Sequence, residues 1–246
     1  MKIANYLIKP FFSILVISSF SLVINAQEIS AVIEDIIVTA EKRTESLQDL
    51  SQAVTVLTSD DLDKKQISTF VDISAIAPGV NVAKNEGFKT VITIRGVGYE
   101  TNQNAIATPS VSYHLDGIYI ASPYSLQTEF MDLERIEVLR GPQGTLFGQN
   151  STGGAINVIT SAPSLEESSS YGDITIGDYS LIKTRASFNR PLSETLAVRA
   201  SFITHKRDGF TDNLSTGQDL DDADSISARV RFLYQPSETF RANFTA

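Results

Sequence analysis

The stretch Val138–Thr160 reads VLRGPQGTLFGQNSTGGAINVIT, and the role of its glycines decides the fold. Two apolar runs enclose five glycines, Gly141, Gly144, Gly148, Gly153 and Gly154. A glycine-rich loop after a strand can cradle a phosphate group, because its backbone N–H groups point at the anion. Glycine also permits tight turns and a close approach of two backbones. The stretch is therefore either a nucleotide site or a set of turns between strands.

The residues around the glycines argue against a nucleotide site. A phosphate-binding loop of the Walker type ends in Gly-Lys-Ser/Thr, whereas Gly148 is followed by Gln149. A dinucleotide-binding loop opens a helix, but here the β-type run AINVIT follows the last glycine. We therefore expect Gly141 and Gly144 to form tight turns after a strand that ends at Arg140. The two later glycines would let the next strand approach closely.

Arg140 and Arg95 occupy similar places in the sequence. Each ends a predicted strand, and each is followed by a glycine, in VLRG and TIRG. Two arginines at matching strand ends of one small domain suggest a paired docking role. Ordinary surface arginines are the alternative.

The first 26 residues have the composition of a secretory signal peptide. Lys2 and Lys9 give a basic start, Pro10–Ile24 is apolar, and Ala26 offers a small residue for cleavage. The apolar segment is short for a membrane span, and a buried helix or an anchor is the alternative. The leader removes two of 20 basic residues and none of 29 acidic ones, which leaves a net charge of about −11. That charge argues against a nucleic-acid partner.

The chemistry-bearing residue types are scarce. The chain has no cysteine, so an exported protein of this sequence must be held by burial or sheet closure. His114 and His205 are its two histidines, and neither has metal-type ligands beside it in sequence. No Ser/His/Asp or paired-carboxylate motif is recognisable. We therefore expect no catalytic residue, no metal site and no cofactor.

Residues 27–163 divide into a lead-in and a small domain. Residues 27–52 are polar, and their run IIVT favours an extended conformation without a pairing strand beside it in sequence. Alternatively, this run is the first strand of the next domain. Residues 53–163 predict an α+β domain, in which Asp116-Gly117 is a hairpin signal. The predicted strands are Val54–Leu57, Thr90–Arg95, Tyr113–Leu115, Ile118–Ile120, Ile136–Arg140 and Ala155–Thr160, and the helices are Asp60–Lys65 and Thr69–Ala75, capped by Ser59 and Ser68.

Residues 171–246 alternate between apolar and polar positions with a period of two. The predicted strands are Ile182–Phe188, Leu196–Thr204, Ile226–Tyr234 and Phe240–Phe244. Short connections at 190–194 and 235–238 contrast with a long, aspartate-rich one at 206–224. This asymmetry favours an outer-membrane barrel, and a half-buried sheet of a soluble sandwich is the alternative. About four strands and the start of a fifth cannot close a barrel, so we expect a fragment of a longer protein.

Four motifs, in order, resemble those of the TonB-dependent outer-membrane receptors. They are IEDIIVTA at 33–40, TIRGVG at 93–98, LDGIYI at 115–120 and the stretch at 138–160. The resemblance covers residues 27–246. It implies an α+β plug domain followed by the start of an antiparallel transmembrane β-barrel, which has 22 strands in the complete family protein.

The resemblance also implies roles for particular residues. Arg95 and Arg140 would lock the plug to barrel glutamates that lie beyond Ala246. Outward plug tips would place substrate contacts at Tyr99, Asn102, Gln103 and Tyr124. The plug turns would use Gly96, Gly141, Gly144, Gly148, Gly153 and Gly154. The segment captured by TonB, the TonB box, would be Ile33, Glu34, Asp35, Ile36, Ile37, Val38, Thr39 and Ala40.

The function implied is energy-coupled uptake of a large scarce nutrient through the outer membrane of a Gram-negative bacterium. TonB, driven by ExbB and ExbD, would pull the box from the periplasm, and a ferric siderophore would be the ligand. Vitamin B12, a carbohydrate or another nutrient is an alternative ligand. A passive porin-like barrel or a secreted enzyme are alternatives of other classes. Outer-membrane lipid is a further expected partner, and nucleic acid is not.

Overall fold

The computed structural model describes residues 37–38, 45–46, 53–85, 89–98, 109–122, 125–126, 129–148 and 150–246. Within these ranges, no helix has the length and apolar character needed to cross a membrane. The described residues belong to one compact unit that begins at Asp35.

The first part of this unit contains short strands and three short helices. Its elements are β1 (Ile37–Val38), β2 (Glu45–Ser46), β3 (Val54–Thr58), α1 (Ser59–Lys64), α2 (Phe70–Ile73), β4 (Val80–Asn85), β5 (Lys89–Ile94), β6 (Val97–Gly98), β7 (Val111–Leu115), β8 (Ile118–Tyr119), β9 (Leu133–Arg140), α3 (Gly144–Phe147) and β10 (Gly154–Thr160). We call the elements from β3 to β10 the plug, after the predicted resemblance. The sequence analysis missed β2, β4, β6 and α3, and it began β9 three residues late.

The plug is built on a mixed five-stranded sheet. The strand order is β3-β9-β10-β7-β8, in which β10 and β7 are parallel and the other neighbours are antiparallel. A second sheet, β4-β5-β6, is antiparallel throughout. Apolar side chains of α1, α2 and both sheets form one core, with Phe70, Ile73, Ile94, Ile136 and Ile156 almost fully buried. The small α+β domain expected from the sequence is confirmed.

Two threonine–aspartate pairs decide where the plug helices begin. Thr58 Oγ1 accepts from the Asp61 N–H, while the Asp61 carboxylate accepts from the Thr58 N–H. Before α2, the Asp72 carboxylate likewise accepts from the Thr69 N–H at 2.8 Å and from Thr69 Oγ1, whereas the Asp72 N–H donates to the Thr69 carbonyl. The predicted caps Ser59 and Ser68 are wrong by one residue, because each pair needs a carboxylate three positions after the cap.

The second part of the unit is a five-stranded antiparallel sheet, which we call the wall. Its strands, in spatial order, are β11 (Ser169–Gly177), β12 (Leu181–Ser193), β13 (Leu196–Arg207), β16 (Ala223–Ser237) and β17 (Phe240–Thr245). The long connection from β13 to β16 contains a small hairpin of β14 (Thr211–Asp212) and β15 (Asp219–Leu220). Two-residue turns at 194–195 and 238–239 lie at one end of the wall, and the long connection lies at the other.

Two prolines lie inside wall strands rather than in turns. We expected Pro191 and Pro236 to belong to the short connections, but β12 continues to Ser193 and β16 to Ser237. The pairing register shifts between Pro191 and Ser193, and again between Tyr234 and Ser237. Such irregularities tolerate proline, because the missing N–H is not needed there.

The two faces of the wall differ as the alternating sequence predicts. Ala197, Ser201, Ile203 and Leu233 lie on the face toward the plug and are buried. The opposite face exposes large apolar side chains, among them Ile174, Ile176, Ile182, Phe188, Ile226, Phe232 and Phe244. Tyr234 of this face packs against Phe240 near the two-residue turns. Aromatic residues at this level border the lipid-facing band of membrane barrels.

Candidate functional site: the contact between plug and wall

The glycines of the opening stretch bring strands together. Gly154 has φ +151°, and a Cβ there would lie 2.7 Å from Ile94 Cδ1 and also collide with the Leu139 carbonyl. A Cβ on Gly153 would lie 2.9 Å from the Val97 carbonyl oxygen. The run AINVIT after these glycines is the buried strand β10, antiparallel to β9. No helix of useful length opens here toward an anion, so the geometry is that of strand packing.

The other glycines of the set lie at bends, with one exception. Gly96, Gly141 and Gly148 have φ of +77°, +107° and +78°, a region that favours glycine. Gly144 instead begins the one-turn helix α3. Its predicted tight turn is wrong, because the residues from Gly144 to Phe147 close a helical turn in which the Gly148 N–H donates to the Gly144 carbonyl.

Arg95 and Arg140 meet at one end of the plug, around the Pro78–Gly79 turn. The Arg95 N–H donates to the Gly79 carbonyl at 2.7 Å, and Arg140 Nη1 lies 3.4 Å from the Pro78 carbonyl oxygen. Arg95 is exposed and has φ +53°. The structure thus brings the two predicted arginines together. Their role as a lock to barrel glutamates stays a prediction.

The wall contacts the opposite end of the plug sheet. In β9, Arg140 pairs with the start of β10, whereas Leu133 pairs with its last residue, Thr160. The segment before Leu133 and the segment after Thr160 both contact wall side chains. The first contact joins the Asp132 carboxylate to Arg199, and the second joins the Ser161 carbonyl to Arg231.

Asp132 makes the most complete of these contacts. Arg199 Nε donates to Oδ2 at 2.6 Å and Nη2 donates to Oδ1 at 2.5 Å, which is a bidentate pair. Ser201 Oγ donates to the same carboxylate. Arg199 and Ser201 alternate on β13, so both point to the plug. Burial acts to raise the pKa of Asp132, but the hydrogen bonds from Arg199 and Ser201 outweigh it and hold the pKa below its ordinary value.

Glu129 forms a second contact, farther from the two-residue turns. Lys183 Nζ lies 2.6 Å from Glu129 Oε2, and His205 Nδ1 contacts Oε1. Lys183 and His205 are paired residues of β12 and β13. All three side chains are largely shielded from solvent, with exposed fractions of 12–18%.

Two arginines of β16 bind plug backbone. Arg229 Nη1 donates to the Met131 carbonyl at 3.0 Å. Arg231 Nη1 donates to the Thr160 and Ser161 carbonyls at 3.0 and 3.1 Å. Thr160 is itself held by Asp116, whose Oδ1 accepts from the Thr160 N–H at 2.9 Å. The Asp116-Gly117 hairpin, confirmed between β7 and β8, is therefore tied to the point where the chain leaves the plug.

The sequence analysis missed these wall arginines as site residues. Alternation places Arg185, Arg199, Arg229 and Arg231 on the polar face of the wall, which indicates only that this face is not apolar. Arginine repeated on one face of the wall, together with the acids Glu129 and Asp132 in the segment before β9, was the available signal. The partners lie 67 to 122 positions away in sequence, so their identity could not be read from spacing.

Most of the predicted TonB box and all of the predicted substrate contacts lie outside the described residues. In the box these are Ile33, Glu34, Asp35, Ile36, Thr39 and Ala40, and at the plug tips they are Tyr99, Asn102, Gln103 and Tyr124. Ile37 and Val38 form β1, which pairs antiparallel with β2 at Glu45–Ser46. We expected no pairing strand nearby, and that was wrong, because the intervening six residues are enough for a hairpin.

Comparison with known proteins identifies the domain in the first part of the chain. The family model of the TonB-dependent receptor plug domain matches residues 46–155. The chain carries the plug domain of a TonB-dependent receptor. The chain is 31% identical to the pesticin receptor of Yersinia pestis over 79% of its own length and 29% of the relative. It is 26% identical to the vitamin B12 transporter BtuB of Vibrio vulnificus over 68% of its length and 26% of the relative.

A solved receptor structure agrees with the fold. The ferric yersiniabactin uptake receptor FyuA from Yersinia pestis superposes with a TM-score of 0.69 at 24% identity, over 79% of this chain and 30% of that one. The predicted α+β plug followed by antiparallel barrel strands is thereby confirmed. The chain spans less than a third of the length of these relatives. In the residues described, no cluster of three or more His, Cys, Asp or Glu side chains could hold a metal ion.

Proposed function

We propose that this chain belongs to an energy-coupled outer-membrane receptor that takes up a ferric siderophore. The observation that carries the proposal is the plug domain, seated against the polar face of a sheet whose other face is apolar and exposed. A plug inside a barrel closes the lumen, so uptake through it needs work on the plug. Exposed apolar side chains on the outer face suit contact with lipid.

The work is proposed to come from TonB with ExbB and ExbD, acting on residues 33–40 from the periplasm. An extended, β-branched segment suits recognition by strand addition to a partner's sheet. Strand addition would use the backbone of Ile37–Val38, which pairs with Glu45–Ser46 in the free chain. TonB would therefore replace β2 as the partner of β1. Residues 1–26 would be the signal peptide, 27–52 the periplasmic lead-in, 53–163 the plug and 171–246 the first barrel strands.

The ferric siderophore is proposed as the ligand because of the names of similar proteins. The solved neighbour is named as a ferric yersiniabactin uptake receptor, and another relative as a ferric enterobactin receptor. A vitamin B12 transporter also matches, so cobalamin is the second candidate. The two candidate ligands are separated by growing cells that depend on this receptor either with a ferric siderophore as the iron source or with cobalamin. Arg95 and Arg140 are proposed to lock the plug, and Tyr99, Asn102, Gln103 and Tyr124 to contact the ligand.

The experiment that tests this function is Ile37→Pro in the full-length receptor. Proline removes one backbone donor from the added strand. We expect ligand binding to whole cells to stay intact while uptake of labelled ferric siderophore falls to background. Ile37→Val, which keeps the donor and the β-branched side chain, is the matched control and should transport normally. Unchanged uptake by the Ile37→Pro receptor would contradict energy coupling and favour a passive porin-like barrel.

A further inference from the structure

We infer that Asp132, held by Arg199 and Ser201, is the fixed end of the plug, which stays bonded to the wall while the rest of the plug moves. We call these three residues the Asp132 anchor. The inference rests on the proposed function, because a domain pulled from its N-terminus must be held somewhere if the barrel is to remain sealed. It assigns Asp132, Arg199 and Ser201 as positioning residues, which do not contact the ligand.

The geometry of the Asp132 anchor fixes the orientation of the plug relative to the wall as well as its position. Arg199 binds both oxygens of Asp132, and Ser201 binds one of them from two residues farther along β13. The Asp132 carbonyl also accepts from the Ser161 N–H at 3.0 Å. Asp132 therefore connects three parts of the molecule. These are the start of β9, the segment by which the chain leaves the plug, and the wall. A bidentate pair allows little rotation, because both N–H···O bonds must stay aligned.

The backbone of Asp132 is held in an uncommon conformation. Its φ is +50°, a left-handed value that only a few per cent of non-glycine residues adopt and that aspartate tolerates better than most. Strained backbone persists where the surrounding structure over-determines it. Here, the surrounding structure is the bidentate pair on one side and β9 on the other. The side chains of Asp132 and Arg199 are 11% and 16% exposed, so solvent screens their attraction weakly.

The anchor lies at the far end of the plug sheet from the point where traction enters. The chain reaches the plug at Val54, which pairs with Leu139 in β9. Asp132 directly precedes the opposite end of the same strand. In addition, β3 is an edge strand with β9 as its partner in the sheet. Traction on the N-terminus would therefore open the β3–β9 pairing first, and strand β9 would transmit little of it to Asp132.

A second acid–base contact offers a matched comparison. Asp63 in α1, the helix directly after β3, accepts from Arg185 Nη1 at 3.0 Å. Its side chain is 46% exposed and that of Arg185 is 31% exposed. Exposed pairs contribute little to stability, and Asp63 lies on the part of the plug that follows the pulled strand. We expect Asp63→Asn to leave plug retention and uptake unchanged.

The test uses a disulfide in place of the anchor. Residues 1–246 contain no cysteine, so Asp132→Cys combined with Ser201→Cys adds one defined pair, and any cysteine in the remainder of the full-length receptor is replaced by serine for this test. The Ser201 and Asp132 side chains are already in contact. When the pair is oxidised, we expect siderophore uptake at the level of the wild type. When it is reduced with dithiothreitol, the anchor is missing, and we expect cells to become sensitive to vancomycin, which an intact plug excludes.

The outcomes separate this inference from the proposed function. If the oxidised receptor binds siderophore but loses uptake, and dithiothreitol restores it, the anchor must release during transport and the inference is wrong. It is equally wrong if reduction leaves the vancomycin sensitivity unchanged. If the double variant does not reach the membrane, Arg199→Lys is used instead. Lysine keeps the positive charge but cannot bind both carboxylate oxygens of Asp132, so this variant should also make cells sensitive to vancomycin. Loss of TonB-dependent uptake in the wild type itself would instead contradict the proposed function.

Discussion

Gly154 and Gly144 show that glycines of one motif can have opposite requirements. Gly154 lies where β9, β10 and the β4-β5-β6 sheet meet, and a Cβ there would collide with Leu139 and Ile94. A Cβ added to Gly144, the first residue of a helix, would have no atom of the described residues within 4 Å. Glycine is therefore required sterically at position 154, whereas no contact of the described residues requires it at position 144.

The residue-scale prediction follows from this difference. Gly154→Ala should destabilise the plug by about 2 kcal/mol or more, because φ +151° and a backbone clash cannot both be relieved. Gly144→Ala should stabilise it by about 0.5 kcal/mol, because alanine reduces the freedom of the unfolded chain and suits a helix. Calorimetric unfolding of the two variants in detergent measures both effects. Equal effects would contradict the steric role of Gly154.

At the scale of elements, capping decides where α1 begins. Thr58 and Asp61 satisfy each other's backbone N–H groups, and these bonds also lower the pKa of Asp61, with the bond from the Thr58 side chain as the largest cause. Ser59, the cap expected from the sequence, is the first helical residue instead. A helix N-terminus is stabilised by the side chain at its cap and not by the one that follows.

Thr58→Ala should therefore cost about 1 kcal/mol of plug stability. Ser59→Ala is the matched control, and it should change stability by no more than about 0.5 kcal/mol. Denaturant titration of plug fluorescence or circular dichroism measures both variants. A larger loss from Ser59→Ala than from Thr58→Ala would contradict the observed cap.

The elements also show which parts of the fold a sequence can predict. The wall strands follow from period-two alternation, since each residue's face depends only on its own parity. The plug strands β9 and β10 follow from apolar runs bounded by glycine and proline. Pro191 and Pro236 misled the turn prediction, because a bulge accommodates proline as well as a turn does. Strand β4 was missed because VNVAKN is short and mixed, and its pairing with β5 supplies what its sequence lacks.

The candidate site was harder to predict than the fold. Arg95 and Arg140 could be paired because both end a strand before a glycine, and the structure does bring them together at Pro78–Gly79. Asp132 gave no such signal, since it is one aspartate in the run MDLER. Its importance arises from Arg199 and Ser201 on another sheet, and tertiary contacts over that separation leave no local pattern.

At the scale of the whole molecule, one side of the wall contacts the plug and the other side is exposed. The inner face uses arginine and lysine to hold the plug, and such cations are tolerated there because carboxylates and carbonyls accept their N–H groups. The outer face carries the exposed Ile226, Phe232 and Phe244, and it would aggregate in water without a cover. Lipid is the cover that the proposed function supplies.

The last prediction tests that cover by depth along one strand. Val230 lies at the middle of β16, and Ile226 lies on the same face near the end with the long connection. In the full-length receptor refolded into lipid vesicles, Val230→Lys should cost about 2–4 kcal/mol and Ile226→Lys about 0–1 kcal/mol, because a charge is least tolerated at the bilayer midplane. Urea unfolding measures both. A soluble sheet packed on another protein would show no such gradient, so equal costs would contradict a lipid-facing wall.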